Sequence, residues 1–414
     1  MGFQSGLSGL NTATKNLDVI GNNVANASVV GFKGSQAQFA DVFANSLSGA
    51  GAGQIGIGSR IATVAQLFSQ GNISVSNNPL DVAINGKGFF RMDNNGAISY
   101  SRNGQFRFDA LGRLVNAQGL VLTGYGVNAN GQVLPSSPGP IQISFADIPP
   151  NATSDFKLGM NFNSNEPVPT VTTFDPNDTK SYNFSTSGSV YDTLGNEHVL
   201  SLYVIKNATA NQWQVYGQVD GTALANADIG AGAGNPITLN FDSSGNLVTP
   251  PSMPLNVSLT VTTGAVSPLP FTFDFSGSTQ YGSPFGINTL SQDGFTSGRL
   301  AGFNVGEDGI IIGRYTNGQA RPLGQIVLAD FRNPQGLNPI GDNQWEETSA
   351  SGLPIVGTPD TGSLGVLQSS AVEDANVDLT AELVNMITAQ RVYQANAQTI
   401  KTQDAILQTL VNLR

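Results

Sequence analysis

The 414-residue sequence contains no cysteine and only one histidine. Without cysteine, the chain cannot form a disulfide, a thiol nucleophile or a cysteine-based zinc site. The single histidine, His198, cannot build a histidine-rich metal site, and no convergent pair of acidic and basic side chains accompanies it. We therefore predict no enzymatic activity, no cofactor and no metal. We interpret His198, at the start of a predicted strand, as a surface residue.

Charged residues are also scarce, at 11% of the chain, and the net charge is −11. No basic cluster is present, which excludes a nucleic-acid footprint and disfavours binding to anionic membranes. The polar surface must therefore consist mainly of Gly, Ser, Thr, Asn and Gln. Such an uncharged surface suits packing against other protein chains.

Long hydrophobic runs are absent as well. No stretch of about 18 apolar residues occurs, so we predict no membrane insertion. The N-terminal stretch "MGFQSGLSGLNTATKNLDVIGNN" lacks the positive n-region, the apolar segment and the cleavage site of a secretory signal. If the protein leaves the cytoplasm, we expect export without a cleaved signal peptide.

Glycine and proline, which number 49 and 21, are both missing from the C-terminal stretch "DLTAELVNMITAQRVYQANAQTIKTQDAILQTLVNLR". This stretch predicts one helix of about 55 Å, and residues 3–24 predict a second helix of about 33 Å. Only six residues of the C-terminal stretch are charged. A solvated helix of that length normally carries more charge, so we expect other segments or other chains to cover it.

Large apolar residues recur in both predicted helices with the 4-3 spacing of a coiled coil, interrupted in the second helix at Gln390 and Asp404. The flanking faces carry Gln, Asn, Thr and Ala, which cost less to bury than charges when they are hydrogen-bonded. We predict that this seam pairs the terminal helices and supports assembly with other copies. An ordinary intramolecular helical hairpin is the alternative. The seam residues are Phe3, Leu7, Leu10, Leu17, Val24, Leu379, Leu383, Met386, Tyr393, Ala397, Ile400, Leu407 and Val411.

The rest of the chain shows the short apolar runs and tight turns of β domains. The middle of this region is richer in Thr, Ser and Pro than its two flanks. The two flanks have the same spacing of short predicted strands. We predict a multidomain α+β fold in which mainly-β domains are nested between the terminal helices. The predicted parts are a terminal helical domain (1–24 and 376–414), a connecting domain (25–70 and 359–375), a split middle β domain (71–145 and 285–358) and an inserted outer β domain (146–284).

Two segments are predicted to act as flexible joints. Residues 36–48 form a second short amphipathic segment, and a glycine-rich stretch follows it before a predicted strand. The second joint is the linker at 352–365. Passive loops are the alternative for both segments. The candidate hinge glycines are Gly49, Gly51, Gly53, Gly56 and Gly58.

Both ends of the chain carry long and specific motifs. The beginning contains "SGLNTATKNLDVIGNNVAN" and "GFKG", and the end contains "ANVDLTAELVNMITAQRVYQANAQTIKTQDAILQTLVNLR". These motifs resemble those of the bacterial flagellar axial proteins, the rod and hook family. Further inward, "LDVAINGKGFF", "YSRNGQF", "LTGYG", "LGQIVLADF" and "GDNQW" resemble the hook branch of that family. The resemblance is loosest over 146–284.

The resemblance implies a structural subunit that polymerises into the flagellar hook, a flexible curved hollow tube. That tube joins the basal-body rod to the filament and transmits motor torque in swimming motility as a universal joint. The implied partners are further copies of the chain, the distal rod protein, the hook cap, the hook-length control protein, the hook-filament junction protein and the flagellar type III export apparatus. The implied location is the extracellular hook, attached to the basal body.

Three other functions remain open from the residues. One is a distal rod-type axial protein, which shares the terminal motifs. Another is a secreted β-rich adhesin with a helical stalk, which would need an exposed aromatic or acidic patch within 146–284. The third is a secreted hydrolase, for which no acid–base constellation is visible.

Overall fold

The computed structural model describes residues 2–42, 56, 58–128, 131–223, 225–226, 235–249 and 254–412. The chain folds into two compact units. The first comprises Met1–Phe145, Ala301–Arg314 and Ala320–Arg414, and the second comprises Ala146–Leu300 and Tyr315–Gln319. The second unit therefore interrupts the first along the sequence.

Within the described residues there are two α-helices, α1 (Gly2–Ala25) and α2 (Leu379–Asn412). The prediction of one helix at each end is confirmed. Asp378 caps α2, because its Oδ1 accepts hydrogen bonds from the N–H groups of Thr380 (2.9 Å) and Ala381 (3.1 Å). This cap satisfies donors that the first helical turn leaves without intrahelical partners.

The strands fall into three groups along the chain. The first group is β1 (Ser35–Val42), β2 (Gly58–Gln66), β3 (Ile73–Val75), β4 (Val82–Asn85), β5 (Phe89–Asn94), β6 (Ala97–Ser101), β7 (Arg107–Phe108), β8 (Leu114–Val115), β9 (Val121–Tyr125) and β10 (Gly139–Pro140). The second group is β11 (Asp155–Asn163), β12 (Phe184–Tyr191), β13 (Glu197–Lys206), β14 (Gln212–Val219), β15 (Thr222–Ala223), β16 (Ala225–Asn226), β17 (Ile237–Phe241), β18 (Leu247–Thr249), β19 (Leu255–Leu259), β20 (Leu269–Asp274), β21 (Thr279–Tyr281) and β22 (Gly286–Gln292). The third group is β23 (Leu300–Val305), β24 (Ile310–Tyr315), β25 (Ala320–Ile326), β26 (Leu328–Asp330), β27 (Asn338–Gly341), β28 (Gln344–Glu346), β29 (Ile355–Gly357), β30 (Val366–Ser369) and β31 (Ala371–Glu373).

The large sheet of the first unit joins strands from the first and third groups. Its main order is β23-β24-β25-β9-β5-β6-β28-β27. The aromatic rings of Phe89, Tyr100, Phe331 and Trp345 pack edge-to-face against one another in a core cluster of this unit. Two smaller antiparallel ladders, β3–β31 and β4–β30, hold the segment that leads into α2.

The second unit has two sheets around one core. One has the order β16-β19-β20-β11-β21, and the other has the order β12-β13-β14-β17-β18. Successive side chains of a strand point to opposite faces, so alternate residues of β13, Leu200, Leu202 and Val204, are buried. They share this core with the buried Trp213 and with residues of β11 and β20.

His198 lies in the same inward-facing row of β13 and is only 6% exposed. The prediction of a surface residue is wrong, because the two-residue period of the strand places the imidazole on the core side. Its Nδ1 lies 2.6 Å from Oδ2 of Asp220, and its Nε2 lies 3.3 Å from Oδ2 of Asp192. Burial disfavours the imidazolium, but the hydrogen bonds to Asp220 and Asp192 outweigh burial and raise the pKa of His198.

The amphipathic segment predicted at 36–48 is an extended strand as far as it is described. β1 pairs antiparallel with β2, from Ser35 opposite Gln66 to Val42 opposite Gly58. Of the candidate hinge glycines, Gly49, Gly51 and Gly53 lie outside the described residues. Gly56 is exposed, and Gly58 is the first residue of β2.

The linker predicted at 352–365 is partly paired with the rest of the first unit. Its strand β29 pairs with β26 of the large sheet. The N–H of Asp360 donates to the carbonyl oxygen of Gly365 (3.1 Å), and the N–H of Gly365 donates to that of Lys87 (2.8 Å). These bonds satisfy backbone groups of the segment within the fold, and its role as a joint stays a prediction.

Candidate assembly surface

The two terminal helices contact each other through small side chains. A Cβ atom on Gly6 would lie 3.1 Å from Cγ1 of Ile400, and one on Gly9 would lie 2.6 Å from Oδ1 of Asn396. Ala13 and Ala389 are also buried, at 5% and 4% exposure. Glycine and alanine thus allow a close approach of the helices that larger residues would prevent.

The predicted seam only partly coincides with this contact. Six of its members have exposed side chains, namely Phe3, Leu7, Leu379, Leu383, Tyr393 and Leu407. The half-buried members are Leu10, Leu17, Val24, Met386, Ala397 and Ile400. Val411 lies in α2, but its side chain is outside the described part of the structure. The interpretation that the whole seam takes the N-terminal helix of the same chain is therefore wrong.

The face of α2 that contacts α1 repeats about every seven residues, but it is turned about the helix axis relative to the predicted seam. Over 379–409, the side chains that are not exposed are Glu382, Met386, Ala389, Asn396, Ala397, Ile400 and Gln403. Sequence reasoning missed this face because small and polar residues give no hydrophobic signal. A signal for this contact was present in the spacing of the small residues Gly6 and Ala13, which are seven residues apart and both buried.

The hairpin β1–β2 packs against the other side of α1. Oγ of Ser8 accepts a hydrogen bond from the N–H of Ser59 (3.3 Å), and Oγ1 of Thr12 lies 3.2 Å from Oγ of Ser59. A Cβ on Gly58 would overlap the Ser8 side chain, at 1.9 Å from Oγ. Gly58 is therefore needed for close packing, and its backbone is held against the helix.

A groove of about 620 Å³ opens between α1, α2 and this hairpin. It is lined by both polar and apolar groups, including Asn16, Asn23, Phe39, Leu67 and Val392. The groove is bordered by α1, α2 and the hairpin β1–β2 of the first unit. We call this region the assembly surface, and its exposed large apolar residues are Phe3, Leu7, Phe39, Val64, Leu67, Leu379, Leu383, Val384, Ile387, Val392, Tyr393, Ile406 and Leu407.

Exposed large apolar side chains in such number on two helices and a hairpin are typical of protein-protein contacts rather than of a free monomer. Few charges accompany them. The ion pair of α1, Lys15 with Asp18, spans 3.2 Å, and both side chains are about 60% exposed. A charge-poor apolar surface can be desolvated at low cost, because charges are the groups that resist removal from water.

Asparagine side chains connect the exit of α1 to the entry of α2. Asn23 accepts a hydrogen bond from the N–H of Ser35 (2.9 Å) and donates to Oε1 of Glu382 (3.2 Å). Asn376 accepts from the N–H of Gly34 (2.7 Å) and donates to the carbonyl oxygen of Leu67 (2.6 Å). These residues belong to the terminal motifs and fix the helix ends to the hairpin.

The described residues were compared with the requirements of a metal site and of a membrane span. They contain no group of three or more His, Asp or Glu side chains placed to hold a metal ion. In the same part of the chain, neither helix has an apolar stretch long enough to cross a membrane.

Family models match both ends of the chain and residues 83–295. They are "Flagella basal body rod protein" over 3–33, "Flagellar hook protein FlgE/F/G D1 domain" over 83–191, "Flagellar basal body protein FlaE D2 domain" over 161–295 and "Flagellar basal body rod FlgEFG protein C-terminal" over 368–413. The terminal matches cover nearly all of α1 and the whole of α2, and the middle matches cover strands β5 to β22. This order of domains is that of a flagellar axial protein.

Relatives that match over their full length show which flagellar axial proteins this chain is similar to. The chain is 43% identical to the flagellar hook protein FlgE of Escherichia coli, and the match covers 100% of both chains. It is 42% identical to that of Salmonella typhimurium over 100% of both chains, and 30% identical to that of Borreliella burgdorferi over 99% and 98%. The chain belongs to the flagellar hook protein FlgE family, and it is a structural subunit of the bacterial flagellar hook, not an enzyme.

A solved structure supports the fold. The crystal structure of the Helicobacter pylori flagellar hook protein FlgE2 aligns with a TM-score of 0.53 and 16% identity, over 72% of this chain and 100% of that chain. At that identity the likeness shows the fold alone: mostly β domains together with helices at the two ends.

Proposed function

We propose that this chain polymerises through its assembly surface into a flexible, curved, hollow tube. The tube joins the basal-body rod to the filament and transmits motor torque as a universal joint during swimming. The observation that carries the proposal is the row of exposed apolar side chains on α1 and α2. Leu383 and Leu407, for example, are 45% and 53% exposed. Burial between copies removes this apolar area from water and stabilises the tube.

The division of labour follows from the chemistry of the two parts. Torque needs tight axial packing, which long helices with several low-charge faces can provide. Bending needs contacts that slide, which polar β surfaces can provide because each of their contacts is weak. We infer that the terminal helices form the inner wall as a coiled coil and that the nested β domains, with the boundaries given above, form the outer layers.

The partners are proposed on the same basis. The distal rod protein lies below the tube, the hook cap and hook-length control protein act during its growth, and the junction protein links it to the filament. Subunits reach the growing end through the flagellar type III export apparatus without a cleaved signal. The match to hook proteins over the full length favours this function over that of a distal rod-type protein.

Negative-stain electron microscopy of concentrated protein tests the proposal directly. Wild-type protein is expected to form tubes, whereas Leu383→Asp and Leu407→Asp are expected to remain monomeric with folded β units. Leu353→Asp is the matched control, since Leu353 is 84% exposed and lies outside the helices. Normal tubes from the two helix variants would refute the role of the assembly surface. Discrete wild-type particles at high concentration would refute the function itself.

A further inference from the structure

A buried cluster of three charges lies in the first unit. Nζ of Lys33 donates to Oε1 of Glu373 at 2.7 Å, and NH1 of Arg102 donates to Oε2 of the same carboxylate at 3.1 Å. The side chains of Lys33 and Glu373 are fully buried, and that of Arg102 is 5% exposed. We call Lys33, Arg102 and Glu373 the ion cluster.

Backbone groups complete the coordination of the ion cluster. Lys33 also donates to the carbonyl oxygen of Ser69 (2.7 Å), and the N–H of Gly71 donates to Oε1 of Glu373 (2.9 Å). NH2 of Arg102 donates to the carbonyl oxygen of Gly86 at 2.7 Å. Nε of Arg102 has no hydrogen-bond partner. Two cations therefore share one buried carboxylate, and one of their donors is unsatisfied.

The three residues come from separate parts of the chain. Lys33 follows α1 in the "GFKG" motif, Arg102 follows β6 in "YSRNGQF", and Glu373 ends β31 just before α2. The backbones meet closely here. A Cβ on Gly31, which has φ +71°, would lie 2.6 Å from the backbone nitrogen of Asn103, and a Cβ on Gly71 would lie 2.0 Å from the carbonyl oxygen of Asp374.

Stability alone does not explain the ion cluster. Removing three charges from water costs more than a well-packed apolar core of the same volume, and the second cation adds a charge that Glu373 cannot neutralise. Burial accordingly lowers the pKa of Lys33, although Glu373 opposes that shift. Buried ionic groups of this kind can instead specify one arrangement, because any other arrangement leaves a charge without its partner.

We propose that Lys33, Arg102 and Glu373 are positioning residues that set the register in which α1 and α2 leave the β part of the first unit. The carboxylate of Glu373 accepts both cations only when the exit of α1, the end of β6 and the entry of α2 are aligned. A shift of one residue in any of the three segments removes a cation from its reach. The cluster thereby fixes the geometry of the assembly surface.

A charge-free variant separates positioning from stability. Lys33→Met, Arg102→Met and Glu373→Leu together replace the cluster by apolar side chains of similar volume. This triple variant is expected to melt within a few degrees of wild type, yet to give tubes of mixed diameter or at least a tenfold loss of tubes. Glu373→Gln, which leaves two buried cations unpaired, is expected to lower the Tm by roughly 5–15 °C.

The register can be measured as a distance between α1 and the β part of the first unit. The chain contains no cysteine, so Asn11→Cys on α1 and Gln118→Cys in the β part can carry two spin labels. Labelled subunits diluted into unlabelled tubes are expected to show one narrow distance distribution. Lys33→Met, which leaves a neutral Glu373–Arg102 pair and is expected to fold even if the triple variant does not, should broaden that distribution. Lys33→Arg should restore it.

Wild-type tube geometry and a narrow distribution in the triple variant, or in Lys33→Met, would overturn the proposal. An unchanged Tm for Glu373→Gln would do the same. The test uses the tube of the proposed function, but the two are distinguishable. Failure of the wild-type chain to form tubes counts against that function, whereas normal variant tubes beside normal wild-type tubes count against positioning alone.

Discussion

Gly9 of α1 lies so close to Asn396 of α2 that a Cβ atom on Gly9 would stand 2.6 Å from Oδ1 of Asn396. A side chain at this position therefore requires the amide group of Asn396 to move. Gly21 lies on the same helix, and no atom lies within 4 Å of its added Cβ. These two glycines provide a matched pair for testing the contact.

Gly9→Leu is expected to separate the helices and to reduce tube formation strongly, since overpacking of this kind costs about 1–3 kcal/mol. Gly21→Leu is expected to retain the pairing, because helix propensity favours leucine over glycine by roughly 1 kcal/mol. Sedimentation of tubes and electron microscopy measure both outcomes. Equal behaviour of the two variants would contradict the assigned helix contact.

Asn23 should matter for assembly far more than its neighbour Asn22. Asn23 is 2% exposed and exchanges two hydrogen bonds with the backbone of Ser35, whereas Asn22 is exposed. Asn23→Ala leaves the N–H of Ser35 without its acceptor, a loss of about 1–3 kcal/mol. We expect the critical concentration for assembly to rise about 5- to 150-fold. Asn22→Ala is the control, and a comparable rise for it would count against the junction.

The termini of a dilute monomer are expected to be disordered while the β units stay folded. Isolated helices are marginal in water, and the assembly surface of α2 is covered only in the polymer under the proposed function. Trypsin should therefore cut first at Lys15, Arg391 and Lys401 in the monomer and spare these sites in tubes. Mass spectrometry of the early fragments identifies the order in which these sites are cleaved. Early cleavage at Lys206, within β13, would show instead that the second unit opens first.

The second unit should lose stability as the pH rises above the usual pKa of histidine. The pKa of His198 is raised on folding, so its contribution is fully present below the unfolded-state value and is lost as the pH passes through the folded-state value. Hydrogen bonds keep the pKa of Asp192 low despite its burial, so Asp192 stays ionised throughout this window. Thermal unfolding between pH 6 and 9 should follow this trend, and His198→Gln should flatten it.

Because the chain has one histidine, its ring proton signal in NMR reports the titration without ambiguity. Two results would show that the hydrogen bonds of His198 to Asp192 and Asp220 do not hold in solution. One is a titration midpoint of His198 below the ordinary histidine pKa, and the other is a pH dependence of stability that persists in His198→Gln.

The sequence was informative where one property decided the structure. The absence of Gly and Pro over 379–412 predicted α2, and the terminal motifs predicted the family. It was uninformative where contacts between distant segments decided. Gly6 and Ala13 form the helix contact without any hydrophobic signal, and His198 became buried because the period of β13 outweighed its polarity. The partner of Lys33 lies 340 residues away, and no local pattern could indicate it.

A helix contact made of Gly6, Gly9, Ala13 and Ala389 determines how near two axes can come, but small side chains offer few projections that interlock. Such a face resists separation more than it resists sliding along the axis. Under the proposed function, the chain therefore specifies two mechanical quantities in two places: the spacing of the terminal helices at the glycines, and their axial offset at the ion cluster. A substitution at one place can then change the resistance of the tube to bending without changing the distance between its helices.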